Sequence, residues 1–405
     1  MKKRFFISNA IDEEKLPFIS NEEMKFGRAH YSWKIVADLY SKGLEAADIE
    51  TYRVIRPEIY QSKIAQETFG VRHDDNHLAV KPIEHIRPFY GMKNIFNSGW
   101  EFPQFSNESF NGNPLNNHIN ILKNADQIWC WSNFTRDNLK SYGIDTAITL
   151  PPPVIVPRVS DDTTIDHIAT LPLNTTRPPV PSDIKTLAEI LKTYEKSKVF
   201  FSILNPFDKR KQIKSMLTAF EKAQKKQPNI ILLVKLVVDN IHTTLGNIQE
   251  ILEVHHGFTG ENNRIIFIGE TLTDGQMKNL VKKANFYLCT SSTEGLNLPM
   301  IEAMAQGVVP VSTKATAMAD YINEKNSIVI KHEELQTEGP YHALHNYLRT
   351  THFPPQLEST IASLVSAAEI SDSQYRELSK NAKRDAEAKY SLQAFIKNIQ
   401  ALGVM

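Results

Sequence analysis

The sequence predicts an α/β protein built as two doubly wound, Rossmann-like domains facing a cleft, with a C-terminal helix crossing back to the first domain. Three observations carry this expectation. Strand-type apolar runs alternate with amphipathic helical patterns from Lys3 to Gly143 and again from Val199 to Ile330, and such alternation builds parallel sheets with helices on their faces. Between the two series, Pro151–Pro181 holds eight of the 21 prolines, which remove backbone donors and disfavour helix before them. From Ser371 to Ala401 the pattern is helical only. The expected division is therefore residues 1–180 with the linker at 151–181, residues 181–371, and bridging helices in residues 372–405.

In the first series, RFFIS, HLAVKPI, KNIFNSG and DQIWCWS read as strands. HYSWKIVADLYSKGL reads as a helix with Trp33, Val36, Ala37 and Tyr40 on one face and Gly43 near its end. NNHINILKNA and NFTRDNLKSYG read as shorter helices. In the second series, VFFSILN, NIILLVKLVV, RIIFIG, NFYLCTSS, VVPVST and SIVI read as strands. Helices are expected at QIKSMLTAFEKAQKKQ, around TLGNIQEILEVHH, at TDGQMKNLVKKA behind a Thr/Asp cap, and from Asn297 onward.

Bulk composition narrows the function. The 405 residues carry 46 Lys plus Arg against 46 Asp plus Glu, so the zero net charge gives no electrostatic case for nucleic acid. Peripheral membrane contact through a local basic patch stays open. The basic start MKKRFFIS has an apolar run far shorter than the roughly 7–15 residues of a secretory signal, and no run nears the roughly 18 of a membrane span. Cys130 and Cys289 sit in apolar stretches and read as buried free thiols of a reducing cytoplasm. The glycine loop of a dinucleotide dehydrogenase, the P-loop, H-E-x-x-H and paired Cys/His zinc spacings are all missing. His255–His256 reads as a helix end, and no D-x-D triplet is present to bridge a metal to a sugar nucleotide.

Ligands of doubly wound sheets lie beyond the carboxyl ends of the strands, and two junctions of that kind carry chemistry here. In STEGLNLPMIEAMAQG, Thr293 to Asn297 form a loop, Asn297 is a plausible N-cap, Pro299 suits the first turn and Gly307 the C-terminal stop. The amides of Gly295, Leu296, Asn297 and Leu298 would face an anion at the positive helix end. Glu294 at the mouth could accept sugar hydroxyls, and Glu302, one turn in, a ribose diol. The plain alternative for Glu302 is a surface carboxylate stabilising the helix start by about 0.3–1 kcal/mol. In SILNPFDKRKQIKS, Lys209, Arg210 and Lys211 open a helix after the strand end at Asn205. Cations are disfavoured there unless an anion sits among them, and Lys211 and Arg210 would stabilise a leaving diphosphate. A solvated basic cluster is the competing reading.

The first domain offers weaker signals. Trp100 and Glu101 follow Gly99 past a strand, a pairing that suits a sugar face and its hydroxyls; a half-buried Trp beside a surface Glu competes. Gly27, Arg28 and His30 precede the first helix, and His85 and Arg87 form a similar group; plain connections compete for both.

EGLNLPMIEAMAQGVVPV resembles the E-x7-E signature of glycosyltransferase family 4, a group of retaining GT-B enzymes, and NPFDKRK is similar to that family's basic loop. FNSGWEFPQF and ADQIWCWSNFTRDNLKSYG are similar to its N-terminal domain. The resemblance spans most of residues 94–322. It implies that Glu294 contacts the donor sugar, Glu302 the nucleotide ribose, and Lys211 with Arg210 the diphosphate. Gly295 to Leu298 and Asn205 would complete the cradle, and residues near Arg264–Glu270, with Glu270 itself, would border the base. Two departures stand out: KFGRAH replaces the family's glycine-rich N-terminal loop, and Asn297 stands where many members have glycine.

The resemblance further implies retention of configuration, no required metal or other cofactor, and a phosphate that takes the acceptor proton. The expected protein is thus a cytoplasmic retaining glycosyltransferase. It would use a nucleotide-diphosphate sugar and a hydroxyl of a glycan, lipid-linked or small-molecule acceptor. An epimerase or phosphorylase on the same architecture, or a sugar- or partner-binding protein without turnover, are the rivals.

Overall fold

The computed structural model describes residues 2–9, 29–60, 70–72, 74–156, 164–174, 180–206, 208–237, 261–336 and 349–404, with Lys63 and Glu67 besides. Two parallel-rich sheets carry the chain, as the alternation predicts. The first runs β1 (Arg4–Asn9), β2 (Glu50–Arg53), β3 (Asn76–Val80), β4 (Lys93–Ser98), β5 (Gln127–Cys130) and β6 (Ala147–Thr149) in the spatial order β2-β1-β3-β4-β5-β6. Its pairs are parallel throughout. α1 (Ala29–Ala46) lies on one face, where Val36, Tyr40 and Leu44 meet Phe5, Ile7 and Trp129. Phe96, Ile119, Ile128 and Leu139 build the core of the other face.

The second sheet centres on β9 (Lys198–Leu204), β10 (Ile230–Leu236), β11 (Glu261–Ile268), β12 (Phe286–Cys289), β13 (Val309–Thr313) and β14 (Ile328–Ile330), in the order β14-β13-β12-β9-β10-β11. Its inner strands read as continuous apolar runs because both faces are covered. Phe201, Leu233, Tyr287 and Ile301 belong to one core, and Phe200, Leu232, Phe220 and Phe286 to the other.

Three expectations are corrected. The proline-rich stretch is not all linker: β7 (Ala169–Asn174) pairs antiparallel with β11, so the second sheet claims part of it. Pro172 lies in this added strand, outside the parallel core, where a missing donor is tolerated. Gly43 stands near the end of α1, as expected, three residues before Ala46. It is glycine because Phe395 packs there: a Cβ would stand 2.6 Å from that ring. Lys209–Lys211 form a separate 3-10 turn, and the helix begins only at Ile213, after Gln212 in the left-handed region at φ 51°. Short strands at β2 and β6 also escape the apolar-run reading, since ETYR and AIT are mostly exposed or half-buried. The helix expected around TLGNIQEILEVHH, His255–His256 included, lies outside the described residues.

Two consecutive helices close the structure. Asp372–Tyr390 opens on a capping box between Ser371 and Gln374 and packs on the second sheet through Ala382, Ala386 and Tyr390. Leu392–Ala401, capped by Ser391, belongs instead to the first half's core through Phe395 and Ile399. The chain crosses between halves at Ser391, beside Val154, whose N–H donates to Tyr390 O at 2.6 Å.

Candidate functional site

The chain builds β9, β10 and β11 outward in one direction, then returns to place β12 against β9. That reversal opens a crevice at the carboxyl ends of β9 and β12, the place where doubly wound sheets bind ligands. A small pocket of about 10 Å³ lies there, walled by Ile203, Lys211, Thr290, Glu294 and Asn297. A larger open groove elsewhere, about 860 Å³, runs along Lys226, Ile328, Val365 and Leu378. It lies away from both strand ends and holds neither of the two predicted constellations.

The basic turn is anchored before it reaches the pocket. The Asp208 carboxylate accepts the Arg210 N–H at 3.0 Å, and the Arg210 guanidinium through Nε at 3.1 Å and Nη2 at 2.7 Å. Ser292 N–H donates to Arg210 O at 2.8 Å, and Thr290 Oγ1 to Lys211 O at 2.9 Å. These bonds hold the turn against the loop that follows β12. Lys209 is exposed. Lys211 Nζ donates to Glu294 Oε1 at 2.5 Å, with the glutamate side chain only 7% exposed.

The loop itself is fixed by its neighbours. Thr316 Oγ1 accepts the Glu294 N–H at 3.0 Å, and Tyr321 OH donates to Leu296 O at 2.7 Å. Helix Leu298–Ala305 starts with Pro299 in its first turn, and Gly307, at φ +84°, ends it. Asn297 occupies the N-cap position, but its side chain does not cap. It lies at φ 63°, and its Nδ2 donates inward to Cys289 Sγ at 3.2 Å. Among the described residues, the amides of Gly295, Leu296, Asn297 and Leu298 meet no protein acceptor. Buried amides of this kind cost free energy until an acceptor arrives.

The electrostatics follow from crowding. Burial would lower the Arg210 and Lys211 pKa values, but carboxylates reverse it: Glu101 and Asp208 for Arg210, Glu294 and Asp208 for Lys211, so both are raised. Burial works the other way on Glu302. With Asp274 nearby, it pushes that carboxyl up to about 7. The Glu302 carboxylate has no hydrogen-bond partner among the described residues.

The first half closes over this loop. A Cβ at Gly295 would stand 2.0 Å from Gly99 O, and one at Gly99 1.9 Å from the Trp131 ring. Only two glycines let these backbones meet. Just beyond, Glu101 Oε1 comes 2.6 Å from Arg210 Nη1, without the angle of a hydrogen bond. The anion expected among the cations is thus supplied, in this structure, by the protein's own carboxylates.

Asn205, Arg210, Lys211, Glu294, Gly295, Leu296, Asn297, Leu298 and Glu101 are therefore brought together, with Glu302 one turn along. Other candidates fall elsewhere. Trp100 is half-buried: its Nε1 donates to Gln104 O at 2.7 Å and its ring packs edge-on against His118 at 5.2 Å. It is not the open platform a stacked sugar needs. His85 is exposed on a 3-10 turn, and Gly27 and Arg28 lie outside the described residues. Glu270 accepts the Ala169 N–H at 2.7 Å. Sequence reasoning missed Asp208 as an anchor and Lys235, although a lysine interrupting the apolar run ILLVKLVV is a legible signal.

With this geometry in view, likeness to known proteins becomes informative. Residues 183–339 match the family model Glycosyl transferases group 1. Over 125 residues the chain is 28% identical to a putative glycosyltransferase, ORF330, of Acidianus filamentous virus 2, a match covering 31% of this chain and 33% of that protein. The match thus spans about a third of the curated relative's length. Among solved structures, Anabaena HepE with UDP and glucose has a TM-score of 0.59 at 13% identity over 100% of both chains. Sucrose-phosphate synthase from Thermosynechococcus elongatus gives 0.58 at 14% over 100% of this chain and 98% of that one. Staphylococcus aureus TarM gives 0.54 at 13%, over 84% of this chain and 57% of its own. The class these define is a GT-B protein. The stretch similar to the group 1 glycosyltransferases lies in its second half.

Proposed function

We propose that the chain transfers a sugar, with retention of anomeric configuration, from a nucleotide-diphosphate sugar to an acceptor hydroxyl, in the manner of glycosyltransferase family 4. One observation carries the reading: Lys211 and Arg210 lie against four unpartnered amides at a strand-to-helix junction, in the crevice where the sheet order reverses. Two cations and a helix start facing one small space suit a diphosphate.

In this reading the diphosphate displaces Glu101 from Arg210 and shares Lys211 with Glu294. Glu294 then accepts donor-sugar hydroxyls, and Glu302 the ribose diol. Asn205 flanks the phosphates and Glu270 the base. Positive charge matters most as the bond to the sugar breaks and charge builds on the departing phosphate. The departing oxygen takes the acceptor's proton on the same face, so neither an enzyme base nor a metal is called for. Anabaena HepE was crystallised in complex with UDP and glucose, which supports a nucleotide sugar as donor class.

The test is a thermal-shift screen of UDP-, GDP-, ADP- and dTDP-sugars, followed by NMR of the product with a hydroxyl acceptor. The expected result is stabilisation by at least one donor and a product of unchanged anomeric configuration. An inverted product overturns retention. Binding without turnover of any donor leaves a sugar-binding protein, and transfer to inorganic phosphate leaves a phosphorylase.

A further inference from the structure

Lys235 is a buried charged residue beside the crevice that the proposed reaction leaves unused. It lies in β10 and is 6% exposed. Strand alternation puts it on the same face as Ile231 and Leu233, and parallel register sets it beside Ile203 of β9 and Ile268 of β11. Ile203 is itself a wall of the crevice pocket. The ammonium therefore sits at the carboxyl edge of the sheet, one strand spacing, about 4.8 Å, beyond the pocket.

An ammonium has three donors, and Lys235 uses one. Its Nζ donates to Leu236 O at 2.6 Å and to no other acceptor among the described residues. Glu270 is the charged group that faces it, and burial lowers its pKa to about 8 against that attraction. One Glu270 oxygen is already engaged by Ala169. Among the described residues, two of its donors thus lack acceptors. Burying such groups unpaired is costly, so an acceptor that reaches them is strongly selected.

The fold says what arrives there. A diphosphate at Lys211 and the Gly295–Leu298 amides can extend its nucleoside in the β9-to-β11 direction along this edge, on the side where Glu302 and Asp274 lie near each other. We propose that Lys235 reads the donor's nucleobase, so that the chain accepts uridine, thymidine or guanosine diphosphate sugars and rejects adenosine and cytidine ones. Uracil and thymine offer the O4 acceptor and guanine offers O6 with N7, whereas adenine and cytosine set an amine donor on that edge. Facing an ammonium, either amine opposes the donors, and adenine keeps only N7 as an acceptor there.

This inference rests on the nucleotide-sugar reading above, and calorimetry separates the two. Wild type should bind UDP or GDP at least about tenfold more tightly than ADP, the range of one good polar pair. Lys235→Met should bring the three within about threefold of one another, while Lys235→Arg, which keeps a donor, should retain the ranking. Equal wild-type affinities for UDP, GDP and ADP overturn the inference, as does an unaltered ranking in Lys235→Met. If that variant fails to fold, the wild-type ranking together with Lys235→Arg decides: a lost ranking in the arginine variant also counts against it. Failure of wild type to bind any of the three nucleotides overturns the sugar-nucleotide reading itself.

Discussion

At the scale of single residues, the site holds its charges in compensated form. Glu302 gives the sharpest pH signature. Its carboxyl is pushed up to about 7, from an ordinary 4.5, so the fold binds its proton more tightly than the unfolded chain does. Its stability contribution is therefore full below about pH 4.5 and is lost as pH rises through 7. A ribose diol donates to the ionised form, so nucleotide affinity should rise roughly tenfold per pH unit below about 7 and level off above it. Glu302→Gln should flatten that profile in calorimetry, and an unchanged slope removes Glu302 from the ribose. Glu101 makes the complementary case. It pairs with Arg210 across the cleft, so Glu101→Gln should bind nucleoside diphosphate several-fold more tightly by removing a competing carboxylate. Weakened or equal affinity would show that the ligand and Glu101 do not contend for Arg210. The sequence disclosed Lys211, Arg210, Glu294 and the loop amides because cations at a turn and a glycine before a proline are local signals. It did not disclose the Glu101–Arg210 pairing, which joins residues far apart in sequence and depends on how the halves meet.

At the scale of elements, the meeting of two loops decides how closely the halves approach. Gly295 and Gly99 touch backbone to backbone, and a methyl group at Gly295 would stand 2.0 Å from a carbonyl oxygen that cannot swing aside. Gly295→Ala should therefore destabilise the closed arrangement by about 1–3 kcal/mol, the usual cost of overpacking. The readouts are a lowered melting temperature and a loss of turnover. Wild-type values for both would mean that the two loops do not touch in solution. Strands β9, β10 and β12 were readable because burial on both faces leaves unbroken apolar runs. β7 was not, because its Leu171 and Leu173 lie within a proline-rich stretch. Asn297 was placed at the right position but in the wrong role. Its inward turn depends on Cys289, eight residues back and visible only once the strand is folded.

At the scale of the molecule, the halves are joined by more than the site. Asn133 N–H donates to Asp320 at 2.6 Å, and the Gln104 side chain exchanges two bonds with Thr351, at 2.8 and 3.0 Å. The alternation of elements announced two sheets, but these contacts have no sequence period and could be seen only in three dimensions. The Leu392–Ala401 helix goes further, since Phe395 fills the notch at Gly43 and lies tilted against Tyr40, ring centres 5.9 Å apart. A growing polypeptide usually folds its earliest portion while later portions are still being made. Here the first half lacks part of its own interior until Phe395 and Ile399 have emerged from the ribosome, so its maturation must wait for a helix translated after the whole of the second sheet.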